Sequence, residues 1–403
     1  MDVAIIGGGI GGLVTALYLH REGLPCRIFE AANEFKPLGV GINMLPHAMK
    51  CLSDLGVEAG IRRRGVEPKE FIWFNQHGQY IYSEPCGKAG GYASPHFSIH
   101  RADLHAALLE VVRERLGDDI VVMGRKCTKV DQDERGVTLH FADAPSERAE
   151  IAIACDGFHS AVRRQFYPDE GRGVFAGINL WRGVTINKPF LSGASIVRAG
   201  PLRVGKFMCY AIRNLPDGTQ LVNWASEVQR DTWTENDWNM PGRLEDFIHY
   251  HENQHFEWLD VPDFIRRAEF ILEYPMVDRD PIKRWTFGRV TLLGDAAHPM
   301  YPRGANGGAQ AILDAELLSR LLKTMPDALE ALKVYETERI PKTTKIVLTN
   351  RSTPPDYIIE SVDEITGGQP FTRIEDVMSR EKLAAISENY KRITAWDVNA
   401  VNT

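Results

Sequence analysis

Residues 3–30 read VAIIGGGIGGLVTALYLHREGLPCRIFE. Val3-Ala4-Ile5-Ile6 is a short apolar run of strand type. Residues 10–22 carry helical periodicity, and Cys26-Arg27-Ile28-Phe29 is a second strand that stops at Glu30. Between the first strand and the helix, Gly7, Gly9 and Gly12 form Gly-x-Gly-x-x-Gly. The three glycines serve different ends. Gly7 permits the tight turn, Gly9 lets a pyrophosphate approach the backbone, and Gly12 lets the helix sit close to the strand. The helix opens at Ile10 and Gly11, where unpaired N–H groups and the positive end of the dipole favour an anion. Glu30, followed by Ala31, stands 18 residues after Gly12 at the end of the second strand, placed to accept bonds from ribose hydroxyls. Strand, glycines, helix and acid in register predict a dinucleotide-binding βαβ unit. They do not separate a nicotinamide from a flavin cofactor.

The chain around this unit has 403 residues, 44% hydrophobic and 25% charged, with a net charge of −7. That length calls for more than one core. The absence of a basic stripe argues against a nucleic-acid partner. Six scattered cysteines without a Cys-x-x-Cys pair read as a reducing compartment, with neither a disulfide framework nor a zinc ribbon. The apolar start lacks a basic leader and is broken by glycines, so it is not read as a signal peptide, and no run is long enough to span a bilayer. A soluble, cytoplasmic protein is expected.

Further along, FIWF (71–74) and YIYSEP (80–85) flank a turn at His77-Gly78 and read as a hairpin. Residues 101–116 read as a helix. Residues 177–229 change style to β-rich segments between Gly, Pro and Asn turns, an antiparallel sheet unlike the parallel start. Pro341 should end or kink the helical pattern in which it lies. Thr372 with Glu375 suggests a capping box.

Two later motifs follow strands of their own. IAIACDG (151–157) leads into Asp156-Gly157-x-x-Ser160-x-x-Arg163. LLGDAAHPMYPRGANGGAQAILDA (292–315) sets Asp295 at a strand end, before a loop rich in proline and glycine and then a helix. Taken in this order, the three motifs resemble those of the class A flavoprotein aromatic monooxygenases, the para-hydroxybenzoate hydroxylase fold. PLGVGIN (37–43), FSIHR (97–101), WRGVT (181–185), LVNW (221–224) and EYPMVDRDPI (273–282) look most like the subgroup containing a phenazine-carboxylate monooxygenase. The likeness runs to about residue 350.

The resemblance implies an α/β fold: a Rossmann-like FAD-binding domain (1–70, 97–172, 276–350) interleaved with an antiparallel-sheet substrate domain (71–96, 173–275), then a helical C-terminal tail (351–403). It implies FAD as cofactor, NADH or NADPH and O2 as co-substrates, and hydroxylation of a small aromatic or heteroaromatic ring through a C4a-hydroperoxyflavin. The substrate could be carboxylated and phenazine-like. Asp295 would bond the ribityl hydroxyls. Arg101 would contact the phosphate or ribityl region, and Val40 and Gly41 would line the flavin ring. Asp156, with Gly157, would sit near flavin and nicotinamide, and Cys127 beside the adenine. Gly304, Asn306 and Gly307 would supply the loop whose N–H groups and following helix face the ring. Asn306 stands where relatives often carry glycine, and asparagine tolerates the left-handed backbone.

Trp181, Tyr210, Trp224, Met300 and Pro302 are candidates for the substrate wall, and Arg182 or Arg203 for a carboxylate partner. Plainer alternatives stay open: buried aromatics are most often core, Asp156 could simply cap a helix, and the arginines could be solvated. HENQH (251–255) matches a zinc-protease pattern by letter alone, without the extended motif, so no metal is expected. His298 is expected to be structural, since no nucleophile elbow accompanies it. Oligomeric state is not legible. Two rival outcomes remain: a flavoenzyme performing N-hydroxylation, epoxidation or oxidase chemistry, and a non-catalytic carrier on the same scaffold.

Overall fold

The computed structural model describes residues 1–36, 39–233 and 240–402. Pro37 and Leu38 of the PLGVGIN stretch lie outside them. A parallel sheet forms the first layer. Val3–Ile6 sits between Cys26–Phe29 and Ile151–Ala154, which in turn neighbours Val290–Leu292. Val121–Val122 closes one edge in parallel, and Thr286–Phe287 closes the other antiparallel. The central strands are buried throughout, as a sheet covered on both faces requires. Helices Ile10–Arg21 and Asn306–Thr324 pack against each other beside this sheet.

The second layer is an eight-stranded sheet, antiparallel but for one parallel neighbour pair. It contains Glu70–Phe74, Tyr80–Pro85, Val174–Asn187, Ser195–Ala199, Lys206–Asn214, Gln220–Gln229, Met240–Pro241 and Ile271–Asp278. The hairpin read at 71–85 is present, and so is the helix Arg101–Leu116. Two domain bounds shift. Ile271–Asp278 pairs along its length with Val174–Asn187, so the second domain runs past 276. The helix Ala328–Ser352 crosses the bound at 350.

That helix does not end at Pro341 but continues past it to Ser352. Pro341 and Thr337, one turn earlier, are both exposed, so the carbonyl left without an N–H donor can be hydrated. Thr372 precedes, and Glu375 lies within, a single 3-10 turn, Ile374–Asp376, that has no side-chain cap. The helix proper is Arg380–Ile393, capped by Ser379.

The C-terminal residues are not a loose tail. Ile358, Ile359, Val362, Leu383 and Trp396 share one buried cluster with Phe71, Trp73 and Ile81 of the second sheet.

Candidate functional site

The glycine motif has the geometry its spacing demands. A Cβ on Gly12 would lie 2.0 Å from the Gly7 carbonyl oxygen, and one on Gly7, whose φ is +104°, would lie 2.5 Å from that of Cys155. A Cβ on Gly9 would meet nothing within 4 Å. Helix and strand therefore touch at Gly12, while Gly9 faces open space. The helix has no side-chain cap, so its first N–H groups are left for a ligand. Glu30 braces the turn: its carboxylate accepts from Gly8 N at 2.7 Å and Ala32 N at 2.8 Å. His105 holds the Gly8 carbonyl at 2.8 Å. Exposed Ala31 leads into a concavity lined by residues 32–36.

Asp156 both caps and waits. Its Oδ2 accepts from Ala161 N at 2.9 Å. Its Oδ1 is sealed from water without a partner among the described residues, and burial raises its pKa. Gly157 beside it is left-handed at φ +76°. The buried Cys127 thiol is pushed up to about 11 by burial and by the nearby Asp156 charge.

The arginine of the same motif has a role the sequence did not disclose. Arg163 is buried, paired with Glu170, and donates to the carbonyls of Ala296 and Ala297 at 3.0 and 2.8 Å. It thus ties the second motif to the third. The third is locked again from below. Asp314 is fully buried, accepts from Gly294 N at 3.1 Å, and pairs with His298 at 2.6 Å and Arg339 at 2.5 Å. Burial opposes its charge, but His298 and Arg339 more than offset this and hold the carboxyl at about 2. His298 is therefore engaged in the scaffold.

So held, Asp295 stands exposed at the rim, with its Oδ1 3.8 Å from where a Cβ on Gly307 would be. Half-buried Met300 lies beside Gly307, and Pro302 is exposed on the same rim. The following helix, Asn306–Thr324, also begins without a side-chain cap. One expectation is corrected here. The left-handed residues are Gly304 (φ +65°) and Ala305 (φ +55°), whereas Asn306 is the first helical residue. Its buried amide donates to the Tyr390 hydroxyl at 3.1 Å, so what selects it is a side-chain partner on the C-terminal helix.

Val40 and Gly41 lie beside Arg101, whose backbone N–H donates to the Val40 carbonyl at 3.0 Å. The exposed Arg101 guanidinium has no ion-pair partner among the described residues. Gly41 is gripped from the second sheet, its N–H by Asn223 at 2.7 Å and its carbonyl by Arg182 at 2.9 Å. Buried Tyr210 neighbours Arg182.

The two tryptophans do not line the site. Strand alternation turns Trp181 and Trp224 to the far face, where both pack on Phe247, while their neighbours Arg182 and Asn223 face Gly41. Arg203 is also set aside: it lies at the surface, paired with Asp363. The HENQH histidines part company. His251 is buried against Ser226 and Gln254, and His255 pairs with Asp260 in solvent.

A small pocket of about 30 Å³ lies between Gly304–Ala305, the second sheet and the C-terminal helix. Its wall includes Phe71, Trp73, Arg198, Tyr390 and Trp396. Arg198 was not singled out by its sequence context. The available signal was a lone charge in the buried strand Ser195–Ala199.

Two uncapped helix starts, an open glycine face, an orphaned carboxylate oxygen and a free rim aspartate suit a diphosphate-linked flavin. The comparisons agree. A family model described as an FAD binding domain matches residues 1–349. A phenazine 1,6-dicarboxylic acid hydroxylase of Lysobacter antibioticus is 40% identical, over 97% of both chains. The chain belongs to the FAD-dependent aromatic monooxygenases. Other members of this family at 30% identity are a 6-hydroxynicotinate 3-monooxygenase of Pseudomonas fluorescens (85% of this chain, 89% of that one) and a 3-hydroxybenzoate 6-hydroxylase of Polaromonas naphthalenivorans (91% and 90%). In fold, the chain matches Klebsiella pneumoniae HpxO complexed with FAD and uric acid, with a TM-score of 0.75, 24% identity, and coverage of 98% and 92%. As a family member it uses FAD, with NAD(P)H and O2 as co-substrates. No helix among the described residues is long and apolar enough to cross a membrane.

Proposed function

We propose that this monooxygenase hydroxylates a carboxylated, phenazine-like heteroaromatic ring. The observation that carries the reading is the pocket beside Gly304–Ala305, whose wall combines the aromatic planes of Phe71, Trp73 and Trp396 with the guanidinium of Arg198, the other cation there, Lys391, being paired with Glu84. The Lysobacter relative, alike along nearly its whole length, supports the same substrate class.

The chemistry FAD supplies when bound is reduction by NAD(P)H and activation of O2 for transfer of one oxygen atom. The chain's own residues bind, orient and seal. The N–H groups opening Ile10–Arg21 and the face of Gly9 would hold the diphosphate, with Glu30 at the adenosine ribose and Asp295 at the ribityl hydroxyls. The uncapped start of Asn306–Thr324 would offer its N–H groups to the bound flavin, stabilising the negative charge it gains on reduction. Asn223 and Arg182 fix the Gly41 backbone, which would border the ring. The aromatic wall excludes water, limiting unproductive loss of reducing equivalents as peroxide. This division of labour asks no side chain to act as nucleophile.

Purified protein should be yellow. NAD(P)H oxidation should rise on adding phenazine carboxylates, and labelled O2 should leave one labelled oxygen on a ring carbon of the product. Label on a ring nitrogen, or peroxide with unchanged substrate, would select the N-hydroxylation or oxidase alternatives. A colourless protein that takes up no FAD would sink the reading in favour of a carrier.

A further inference from the structure

Arg198 brings a guanidinium to the pocket wall. Arg198 is nearly buried, with its Nε 2.7 Å from Asp356. Asp356 also pairs with Lys206, which reaches Glu227 at 2.7 Å, and Arg303 lies 3.8 Å from Glu227. The cations Arg198, Lys206 and Arg303 thus share Asp356 and Glu227, with Glu360 also close to Lys206. Among the described residues, neither terminal nitrogen of Arg198 has a hydrogen-bond partner. The guanidinium lies over Phe71 and Trp73, 5.6 and 5.7 Å from their centroids. Asp356 therefore ion-pairs at the Nε side and leaves the outer edge, with its two terminal N–H groups, for a planar anion.

A second observation is independent of charge. The indole N–H groups of Trp73 and Trp396 are buried on this wall with no hydrogen-bond partner among the described residues. Buried donors without acceptors are costly, and a ligand that brings acceptors relieves them. A carbon-only ring cannot do so, whereas a ring nitrogen in the plane of an aromatic system can.

We infer that Arg198 is the carboxylate-binding residue of the pocket, and that the indoles of Trp73 and Trp396 select nitrogen-containing aromatic rings over carbocycles of the same shape. This rests on the reading of the pocket as the substrate site. Trp396 and Asp356 both belong to the segment beyond residue 349, where the family model ends. The inference therefore places part of the specificity outside what the family model covers.

The test uses the FAD-loaded enzyme, titrated with phenazine-1-carboxylate, unsubstituted phenazine and anthracene-1-carboxylate, with binding read from the flavin absorbance. Wild type should bind phenazine-1-carboxylate most tightly. Arg198→Met should weaken that ligand by about tenfold or more while changing phenazine affinity by less than about twofold, since only a charge-assisted contact is lost. Replacing both Trp73 and Trp396 by Phe should narrow the gap between phenazine-1-carboxylate and its carbocyclic analogue. Because Arg198→Met leaves Asp356 short of a partner, Arg198→Met with Asp356→Asn is the second variant and should show the same selectivity. Equal losses for both phenazines in the two variants, or no loss in either, overturns the role of Arg198. Equal wild-type affinity for the phenazine and anthracene carboxylates overturns the role of the indoles. If wild type binds none of the three and none stimulates NAD(P)H oxidation, the proposed substrate class itself falls.

Discussion

Gly9 and Gly12 lie three residues apart in one motif and answer to different forces. Gly12 is fixed by the fold: with a Cβ 2.0 Å from the Gly7 oxygen, helix and strand must part. Gly12→Ala should cost about 1–3 kcal/mol, as overpacking does, and abolish flavin retention. Gly9 is constrained only toward the ligand. Its backbone is extended (φ −74°, ψ −174°) and suits alanine. Gly9→Ala should therefore leave the apoprotein within about 1 kcal/mol of wild type while flavin content falls. Urea melts of apoprotein and flavin absorbance per chain separate the two effects. Flavin retained at wild-type level in Gly9→Ala would refute the assignment. At this scale the motif was fully legible, because its partners lie within a few residues. Asn306 was not, because its partner is 84 positions away. Asn306→Gly should lose the Tyr390 bond and about 1–2 kcal/mol of stability, yet keep its flavin, since the backbone N–H groups remain. Flavin loss without destabilisation would reverse that account.

Elements carry the next level of constraint, and here the buried polar residues decide. Asn306–Thr324 presents Asp314 to Gly294, His298 and Arg339, so one carboxylate clamps the loop bearing Asp295 to two helices. Asp314→Ala strands Arg339 and should cost about 3–5 kcal/mol. Flavin should then dissociate at denaturant concentrations the wild type tolerates, as followed by flavin fluorescence. Wild-type stability in that variant would show the clamp to be ornamental. The sequence showed the helix but not its clamp, since an Asp in an amphipathic pattern reads as surface until a buried Arg from another helix is seen. The second sheet was legible as antiparallel and misjudged in facing. A one-residue step along a strand exchanges Trp181 for Arg182 and Trp224 for Asn223, and residue size alone does not tell which face is turned to Gly41. Pro341 does not end its helix, since water can reach the carbonyl of Thr337 that it leaves without a donor.

Across the whole molecule, the two sheets meet at a seam closed by the C-terminal helices. Residues 351–403 looked polar on average because their apolar positions (358, 359, 362, 383) are spaced to cover one face. Beside this seam sit His47 and His96, fully buried, with no ring nitrogen hydrogen-bonded among the described residues. Desolvation first, then the Arg339 charge for His47, and the His47 and Arg198 charges for His96, lower each from 6.5 to about 3. His251, buried against Ser226 and Gln254, is lowered to about 4. All three stay neutral in the folded chain through the range where the unfolded chain takes up protons. Between about pH 6.5 and about pH 3 the unfolded state therefore binds more protons, and stability falls as pH falls. Above this window the contribution is fully present. Denaturation at neutral pH and at stepped acidic pH should show a loss of several kcal/mol across the window, to which carboxylates such as Asp314 add only at its lower end. His47→Leu combined with His96→Leu should flatten the slope just below pH 6.5, where carboxylates other than buried Asp278, raised to about 6 by burial, are still ionised. Because His96 lies beside Arg198 and Phe71, the same acidification should release a phenazine carboxylate before global unfolding. A double variant whose acid slope superimposes on wild type would remove the seam histidines as the cause.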